Sequence, residues 1–268
     1  MSSAPPSSPS PTPGTARGRL LLIPNALDLG TELVPLTDVL PHGAIAAAAR
    51  LGHWVVEDAR STRAFLKRVD ALVPLAQPLQ ATLITELPRP PKGGRTGPPP
   101  DLMAEHVKLL APALAGHDLG LLSEAGLPGV ADPGAWLVAA AHAQGLVVQA
   151  LSGPSSITLA LAASGLNGQS FVFHGYLPSE GPARAARLRE LEAASRKLQQ
   201  TQVFIETPYR NAAMGQALLA SLGAGTRVSV SCGLTLPGGW SATRTVAQWK
   251  AEGMALPDKV PAVFSLLG

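Results

Sequence analysis

The chain has 268 residues, of which 46% are hydrophobic and only 15% are charged, a composition that can bury a core and excludes a largely disordered protein. A formal charge of +3 and a pI near 9.3 permit a polyanionic partner such as nucleic acid without requiring one. The single cysteine, Cys232, excludes an internal disulfide framework and a thiolate metal cluster and favours a reducing compartment.

The N-terminal region lacks the basic and apolar stretches of a signal peptide, and no apolar run approaches the length that spans a bilayer. We therefore expect a cytoplasmic protein with no membrane contact. Residues 1–18 consist almost entirely of Ser, Pro, Ala, Thr and Gly, which predicts a disordered tail because such a segment buries too little apolar surface to offset its conformational entropy.

The first half of the chain alternates short apolar runs with helix-length segments. Strands are predicted at residues 20–23, 53–56, 82–85, 119–122 and 146–151. Helices are predicted at residues 33–50 with two proline breaks, 61–69, 102–115, 135–144 and 153–163, with Ser61 or Thr62 and Asp101 as caps. Residues 88–100 are too rich in Pro and Gly to be anything but a mobile loop. This order predicts a parallel, doubly wound sheet.

A short polar segment, residues 166–170, predicts a domain boundary at Asn167. The second half is predicted to be mixed α/β, with a turn at residues 175–178. Its predicted strands are residues 171–173, 202–206 and 227–232, its helices residues 184–200 and 212–222, and residues 243–249 and 261–267 supply the remaining strands and a short helix.

The stretch at residues 123–134 follows a predicted strand and precedes a predicted helix, where open α/β sheets usually hold their ligands. The chain contains no P-loop, no Gly-x-Gly-x-x-Gly at the first helix, no His pair with metal-ligand spacing and no nucleophile elbow. Nucleotidase, hydrolase and metalloenzyme functions are therefore disfavoured, and we expect no metal.

The same stretch, SEAGLPGVADPG, resembles the Ser-Asp-Ala-Gly-Thr-Pro-x-x-Ser-Asp-Pro-Gly block of the small-subunit ribosomal RNA cytidine 2′-O-methyltransferases, a branch of the tetrapyrrole methylase superfamily. Four further stretches resemble that family in order and spacing: EDAR at 57–60, SGPSS at 152–156, HGYLP at 174–178 and FIETPYR at 204–210. The resemblance covers nearly everything from Leu20 to the C-terminus.

This resemblance implies an α/β fold of two α/β domains, the N-terminal one with a mostly parallel sheet and the C-terminal one with a mixed sheet. The corresponding domains are residues 19–167 and 168–268, with S-adenosylmethionine in the cleft between them and a homodimer as the assembly. The residues that the resemblance assigns to the cofactor are Pro24, Ser123, Glu124, Gly126, Leu127, Pro128, Val130, Ala131, Asp132, Ser155, Ser156, Glu206 and Thr207.

Methyl transfer to a ribose hydroxyl needs a group that takes the hydroxyl proton. Glu57 or Asp58 is the candidate base, with Arg60 as a partner that holds a phosphate or orients the pair. An ion-paired helix start explains these three residues equally well. The basic residues of the segments 184–197 and 89–95 are expected to be a solvated helix face and a spacer, with contact to ribosomal RNA or the small ribosomal subunit as their second use.

Several positions depart from the family pattern. Glu124 is one methylene longer than the usual Asp, Leu127 and Ala131 replace hydroxyl-bearing residues, and the first loop, residues 23–30, has lost or shifted a Gly. Three hypotheses therefore stay open: a methyltransferase of ribosomal RNA, a methylase of a tetrapyrrole or other small molecule, and a binding protein for S-adenosylmethionine without catalysis.

Overall fold

The structure of the protein is a computed structural model that describes residues 17–27, 34–88 and 100–268. Residues 1–16 of the tail predicted at 1–18, and residues 89–99 of the mobile loop predicted at 88–100, lie outside these ranges. The last two residues of the predicted tail are described and are anchored. Gly18 N donates to Ala113 O at 2.9 Å, and Arg17 Nη1 donates to Gln144 O at 2.6 Å.

The first sheet has five parallel strands in the order β3-β2-β4-β1-β5. These are β1 Arg19–Ile23, β2 His53–Val56, β3 Leu83–Glu86, β4 Leu119–Leu122 and β5 Val147–Ala150. The central strand β4 is buried at all four positions, which is what an unbroken apolar run in a sheet covered on both faces requires. The prediction of a parallel sheet in this half is confirmed.

Six helices accompany this sheet within the described residues: α1 Leu36–Val39, α2 His42–Arg50, α3 Ala59–Asp70, α4 Pro100–Leu109, α5 Ala111–Leu114 and α6 Ala135–Ala143. Two predicted helix starts are wrong. Asp58, not Ser61 or Thr62, is the N-cap of α3, and its carboxylate accepts from Ser61 N at 2.6 Å. Helix α4 begins at Pro100, so Asp101 lies inside the helix, because proline is well suited to a first helical turn.

The second sheet is mixed and has the order β6-β7-β10-β8-β9. Its strands are β6 Phe171–Tyr176, β7 Thr201–Glu206, β8 Arg227–Cys232, β9 Trp240–Thr245 and β10 Ala262–Leu267. Strands β6 and β7 are parallel and the other pairs are antiparallel. Strand β6 continues through Gly175, where the register shifts, so the turn predicted at residues 175–178 begins too early. Three helices pack with this sheet: α8 Gly181–Leu198, α9 Asn211–Ser221 and α10 Val246–Glu252.

Helix α7 (Ser156–Ser164) follows the first sheet in the chain but packs on the second. Its buried residues Ile157 and Leu161 contact Val203 and Val263, and Thr243 Oγ1 donates to Ser164 O at 2.7 Å. The chain therefore passes from one sheet to the other between β5 and α7, ahead of the boundary predicted at Asn167. The domain bounds themselves stay a prediction.

Candidate functional site

A cleft lies where the loops at the carboxyl end of the first sheet meet the second sheet. We call it the intersheet cleft, and it holds about 680 Å³ of space including its open mouth, within the range of small-molecule sites. The loops of the first sheet, the start of α7 and the second sheet all contribute walls. The lining residues include Leu27, Ala125, Ser156, Tyr176, Glu206 and Gly233.

The loop that joins β4 to α6 is tightly folded at one end of this cleft. Four of its residues have positive φ, including Ala131 at 65°, a left-handed conformation that costs a residue with a Cβ on the order of 1 kcal/mol. At Gly134, where φ is 123°, an added Cβ would lie 2.9 Å from Leu121 Cδ2. The surrounding residues therefore hold the backbone of this loop in a strained conformation, which is typical of ligand-binding segments.

Asn25, which the sequence analysis did not select, fastens this loop to the end of β1. Its backbone exchanges two hydrogen bonds with Gly126, at 2.9 and 3.2 Å, and its side-chain Nδ2 donates to the carbonyls of Ser123 and Glu124 at 3.2 and 3.0 Å. Asn25 is buried, so the carbonyls of Ser123 and Glu124 would lose a donor that water cannot replace if the side chain were removed. The only signal in the sequence was its position directly after a strand.

Glu206, at the end of β7, is fully buried and lines the cleft from the second sheet. Its Oε1 accepts from Thr207 N at 2.7 Å and from Arg210, whose Nη2 lies at 2.8 Å. Its Oε2 has no hydrogen-bond partner among the described residues. A buried carboxylate oxygen without a donor is costly, so this atom is suited to accept a hydrogen bond from a ligand in the cleft.

Acidic side chains gather at the carboxyl ends of β2 and β4. Glu57 Oε2 accepts from Glu124 N at 3.0 Å, which ties the two loops together. Burial, reinforced by the charge of Glu57, raises the pKa of Asp132 to about 7. Burial and Glu57 also raise the pKa of Glu124. Tyr176 faces this group from the second sheet, and burial with the charge of Asp132 raises the pKa of its phenol.

The two neighbours of Glu57 in the predicted catalytic group are placed differently. The carboxylate of Asp58 caps α3, and the Ser61 N–H holds the pKa of that carboxyl below its usual range. Arg60 is exposed in the first turn of α3. Of the three residues, Glu57 is the one that the structure brings into the acidic group.

The predicted cofactor residues fall into three groups. Ser156 and Glu206 line the intersheet cleft, and Thr207 donates its N–H and hydroxyl to Glu206 Oε1. Others build the loops without lining the cleft: Pro24 is buried, Ser155 is the buried N-cap residue of α7, and Val130 is 44% exposed. Ala131 and Asp132 line a different cavity.

This second cavity, which we call the side pocket, holds about 740 Å³ including its mouth. Its walls come from the end of β3, from α4, from the β4–α6 loop and from the start of α6. They include Leu87, Pro88, His106, Asp132, Gly134 and Trp136. His106 and Trp136 were given no predicted role, because these segments lie far apart in the chain.

The arginines of α8 are partly engaged within the protein. Arg187 pairs with Glu190 at 3.0 Å, and Arg196 pairs with Glu192 at the same distance. In the part of the chain that the structure describes, no cluster of His, Cys, Asp and Glu could hold a metal ion. None of the helices in residues 17–27, 34–88 and 100–268 is long and apolar enough to cross a membrane.

The model of one protein family, the tetrapyrrole (corrin/porphyrin) methylases, matches residues 44–248 of this chain. The chain belongs to this family. The match includes four strands of each sheet, β2–β5 and β6–β9, and it confirms the membership that the motifs at residues 57–60 and 123–134 indicated.

Curated relatives agree with that membership, and solved structures share the fold. A Vibrio cholerae protein named ribosomal RNA small subunit methyltransferase I is 38% identical over 122 residues, 46% of this chain and 41% of the relative. The chain spans about two fifths of the length of the curated relatives it matches. A conserved hypothetical protein from Aeropyrum pernix has a TM-score of 0.56 at 16% identity over 92% of this chain and 84% of that one. Uroporphyrin-III C-methyltransferase of Thermus thermophilus, solved with S-adenosylhomocysteine, has a TM-score of 0.50 at 16% identity, covering 93% and 97%.

The prediction of an α/β fold with one parallel and one mixed sheet is therefore confirmed. The cleft also has the donors and acceptors that S-adenosylmethionine needs. Glu206 Oε2 is an acceptor without a donor among the described residues, suited to an exocyclic amine or a sugar hydroxyl, and the carboxylates that Tyr176 faces suit the cationic sulfonium and amino groups. The residues present therefore fit this cofactor.

Proposed function

We propose that this chain is a methyltransferase that uses S-adenosylmethionine and methylates a ribose 2′-hydroxyl of ribosomal RNA in the small subunit. The observation that carries the proposal is the intersheet cleft, whose wall includes the buried Glu206 carboxylate with its unpaired oxygen and Tyr176, which faces the acidic group. The name of the Vibrio cholerae relative supports the choice of ribosomal RNA as acceptor.

In this proposal three of the predicted cofactor residues, Glu206, Thr207 and Ser156, serve the binding site. Glu206 Oε2 accepts from the nucleoside end of the cofactor, while Thr207 and Arg210 hold the carboxylate in place. Ser156, the first residue of α7, lines the cleft. Asn25 fixes the β4–α6 loop, whose backbone faces the methionine end.

The bound cofactor would supply an activated methyl group, so alignment with the acceptor oxygen accounts for much of the rate. What the protein adds is a group that takes the hydroxyl proton. Glu57 is the member of the predicted pair that stands in the acidic group, because the carboxylate of Asp58 is occupied as a helix cap, and Asp132 is the other candidate in that group. Arg60 is exposed and is free to approach a phosphate of the RNA.

A calorimetric titration with S-adenosylhomocysteine tests the cofactor site. We expect the wild-type protein to bind, and we expect Glu206→Gln to weaken binding by about tenfold or more, because a buried charge-assisted hydrogen bond is lost. Glu252→Gln is the control in the same half of the chain, since Glu252 ends α10, is exposed and pairs with Arg244 at 2.6 Å, and it should bind like the wild type. Absence of binding by the wild-type protein would remove the whole proposal.

The acceptor is tested by incubating the protein with small ribosomal subunits from cells that lack its gene. We expect methyl transfer that maps to a ribose 2′-oxygen. Transfer to a tetrapyrrole instead would favour the second hypothesis, and binding without transfer to either would favour a cofactor-binding protein without catalysis.

We further propose that the protein acts in the cytoplasm as a homodimer. The dimer is supported by the resemblance to the family, and the cytoplasm by the ribosomal acceptor. Light scattering of the purified protein tests the dimer, and fractionation of cells tests the compartment. A monomer at micromolar concentration would contradict the first of these.

A further inference from the structure

The side pocket shares no lining residue with the intersheet cleft, but the two cavities are coupled electrostatically. Asp132 lines the side pocket, and its charge acts on Tyr176, which lines the cleft. The charges of Glu57 and Glu124 act on Asp132 in turn. A ligand in the side pocket would therefore lie against a carboxylate that is coupled to the wall of the cleft.

The walls of the side pocket suit a flat aromatic ring. The rings of His106 and Trp136 have their centroids 6.0 Å apart and lie nearly perpendicular, at 81°, so they form a corner. His106 is buried, and its Nδ1 donates to Leu102 O at 2.6 Å, which fixes the ring. Leu87 and Pro88 contribute apolar surface. Nucleobases stack on such aromatic and apolar walls regardless of sequence.

Charge decides which part of a nucleotide can enter. Asp132 lines the side pocket and the charges of Glu57 and Glu124 act on it, so a phosphate group would be repelled. A neutral base meets no such penalty. With the base against His106 and Trp136, the attached ribose would then lie beside Asp132.

We propose that the side pocket holds the base of the nucleotide that is methylated, and that Asp132 takes the proton of its 2′-hydroxyl. This inference rests on the proposed function. The O–H bond breaks, its proton moves to the Asp132 carboxylate and its electron pair stays on oxygen. The new O–C bond forms as the C–S bond of the donor breaks with its electron pair remaining on sulfur, and Asp132 then releases the proton to water. A carboxyl with a pKa of about 7 is well matched to this task near neutral pH.

The base site is tested first without turnover, by titrating cytidine against the indole fluorescence. We expect cytidine to quench the emission of the wild-type protein and of Trp240→Phe, and not that of Trp136→Phe. Trp240 is the control because it lies on β9, away from the side pocket. Equal quenching in the two variants would overturn the base site, whether or not the protein transfers methyl groups.

The same site is then tested by kinetics on small ribosomal subunits. Trp136→Ala should raise KM for the subunit about 10- to 100-fold, whereas Trp136→Phe keeps an aromatic face and should stay within a few-fold. Both should bind S-adenosylhomocysteine like the wild type, which separates this effect from misfolding. An unchanged KM in Trp136→Ala would overturn the base site.

Asp132→Asn should lower kcat about 10²- to 10⁴-fold with KM for the subunit unchanged. Full turnover in this variant would overturn the role of Asp132. A wild-type protein that binds cofactor but methylates no ribosomal RNA would instead contradict the proposed function, and the cytidine titration would still report on the side pocket.

Discussion

Asp132 lies where the fold makes ionisation of a carboxyl unfavourable. It is partly buried, and Glu57 and Glu124 add negative charge beside it. Burial is the larger cause of its raised pKa, because the charged form loses hydration that the hydrogen bond from Ser123 only partly replaces. In the proposed reaction this arrangement would supply a proton acceptor with a pKa near neutrality.

The raised pKa of Asp132 makes the stability of the fold depend on pH. In the unfolded chain the carboxyl titrates at about 4, so its contribution is fully present below that pH and is lost as the pH rises through about 7. Asparagine does not ionise, so Asp132→Asn does not lose this stability as the pH rises. We expect the variant to unfold at a higher temperature than the wild type at pH 8.5, by a few degrees or about 1–2 kcal/mol after solvent screening.

Thermal unfolding at pH 4 and at pH 8.5 measures this difference. At pH 4 the two proteins should unfold at nearly the same temperature. A difference that is equal at both pH values, or that is larger at pH 4, would show that the substitution acts through packing and not through ionisation.

At the scale of elements, the loops at the carboxyl end of the first sheet depend on close backbone contacts. Gly153, after β5, lies against Pro24, after β1, so closely that a Cβ at Gly153 would overlap the Pro24 ring. Pro24 immediately precedes Asn25, which holds the β4–α6 loop. Three loops therefore rest on one another.

Gly153→Ala should destabilise the protein by about 2–4 kcal/mol, because the ring of Pro24 cannot move without disturbing β1. It should also weaken binding of S-adenosylhomocysteine. Gly43→Ala, in α2, is the matched control: nothing lies within 4 Å of the added Cβ, and helix propensity should stabilise the protein by roughly 0.5–1 kcal/mol. Urea unfolding measures the change in the free energy of unfolding of each variant. Equal changes in the two variants would contradict a clash between the added Cβ and Pro24.

The elements were more predictable than the site. Apolar runs such as residues 119–122 became buried parallel strands, because strand periodicity and burial are local properties of the sequence. Asn25 was not predicted, because its partners Ser123 and Glu124 lie 98 and 99 positions away. His106 and Trp136 were missed for the same reason, since only the packing of α4 against α6 brings them together.

At the scale of the molecule, the two sheets have separate hydrophobic cores, and the cleft lies between them. Leu21, Ile23 and Trp54 belong to a cluster of the first sheet, whereas Phe204 and Phe264 belong to one of the second. A ligand in the intersheet cleft contacts both. Its binding energy therefore stabilises their relative position as well as each sheet.

Calorimetry should record two unfolding transitions for the free protein, because each sheet can lose its own core. With S-adenosylhomocysteine at one hundred times its Kd, the native state gains about 2.7 kcal/mol, and the lower transition should move up toward the upper one. A single transition without ligand, unchanged by ligand, would contradict independent cores bridged at the cleft.

Within residues 17–27, 34–88 and 100–268, every strand of the first sheet precedes α7 and every strand of the second follows it. The five residues 151–155 therefore connect the two sheets, and we expect them to act as a hinge about which Ser156 moves with the second sheet and Ala125 with the first. Two features limit how far this hinge can bend: the close contact of Gly153 with Pro24 and the fixed φ of Pro154. The rate at which the used cofactor leaves would then be set by the stiffness of this hinge, at a distance from the carboxylates that serve the chemistry.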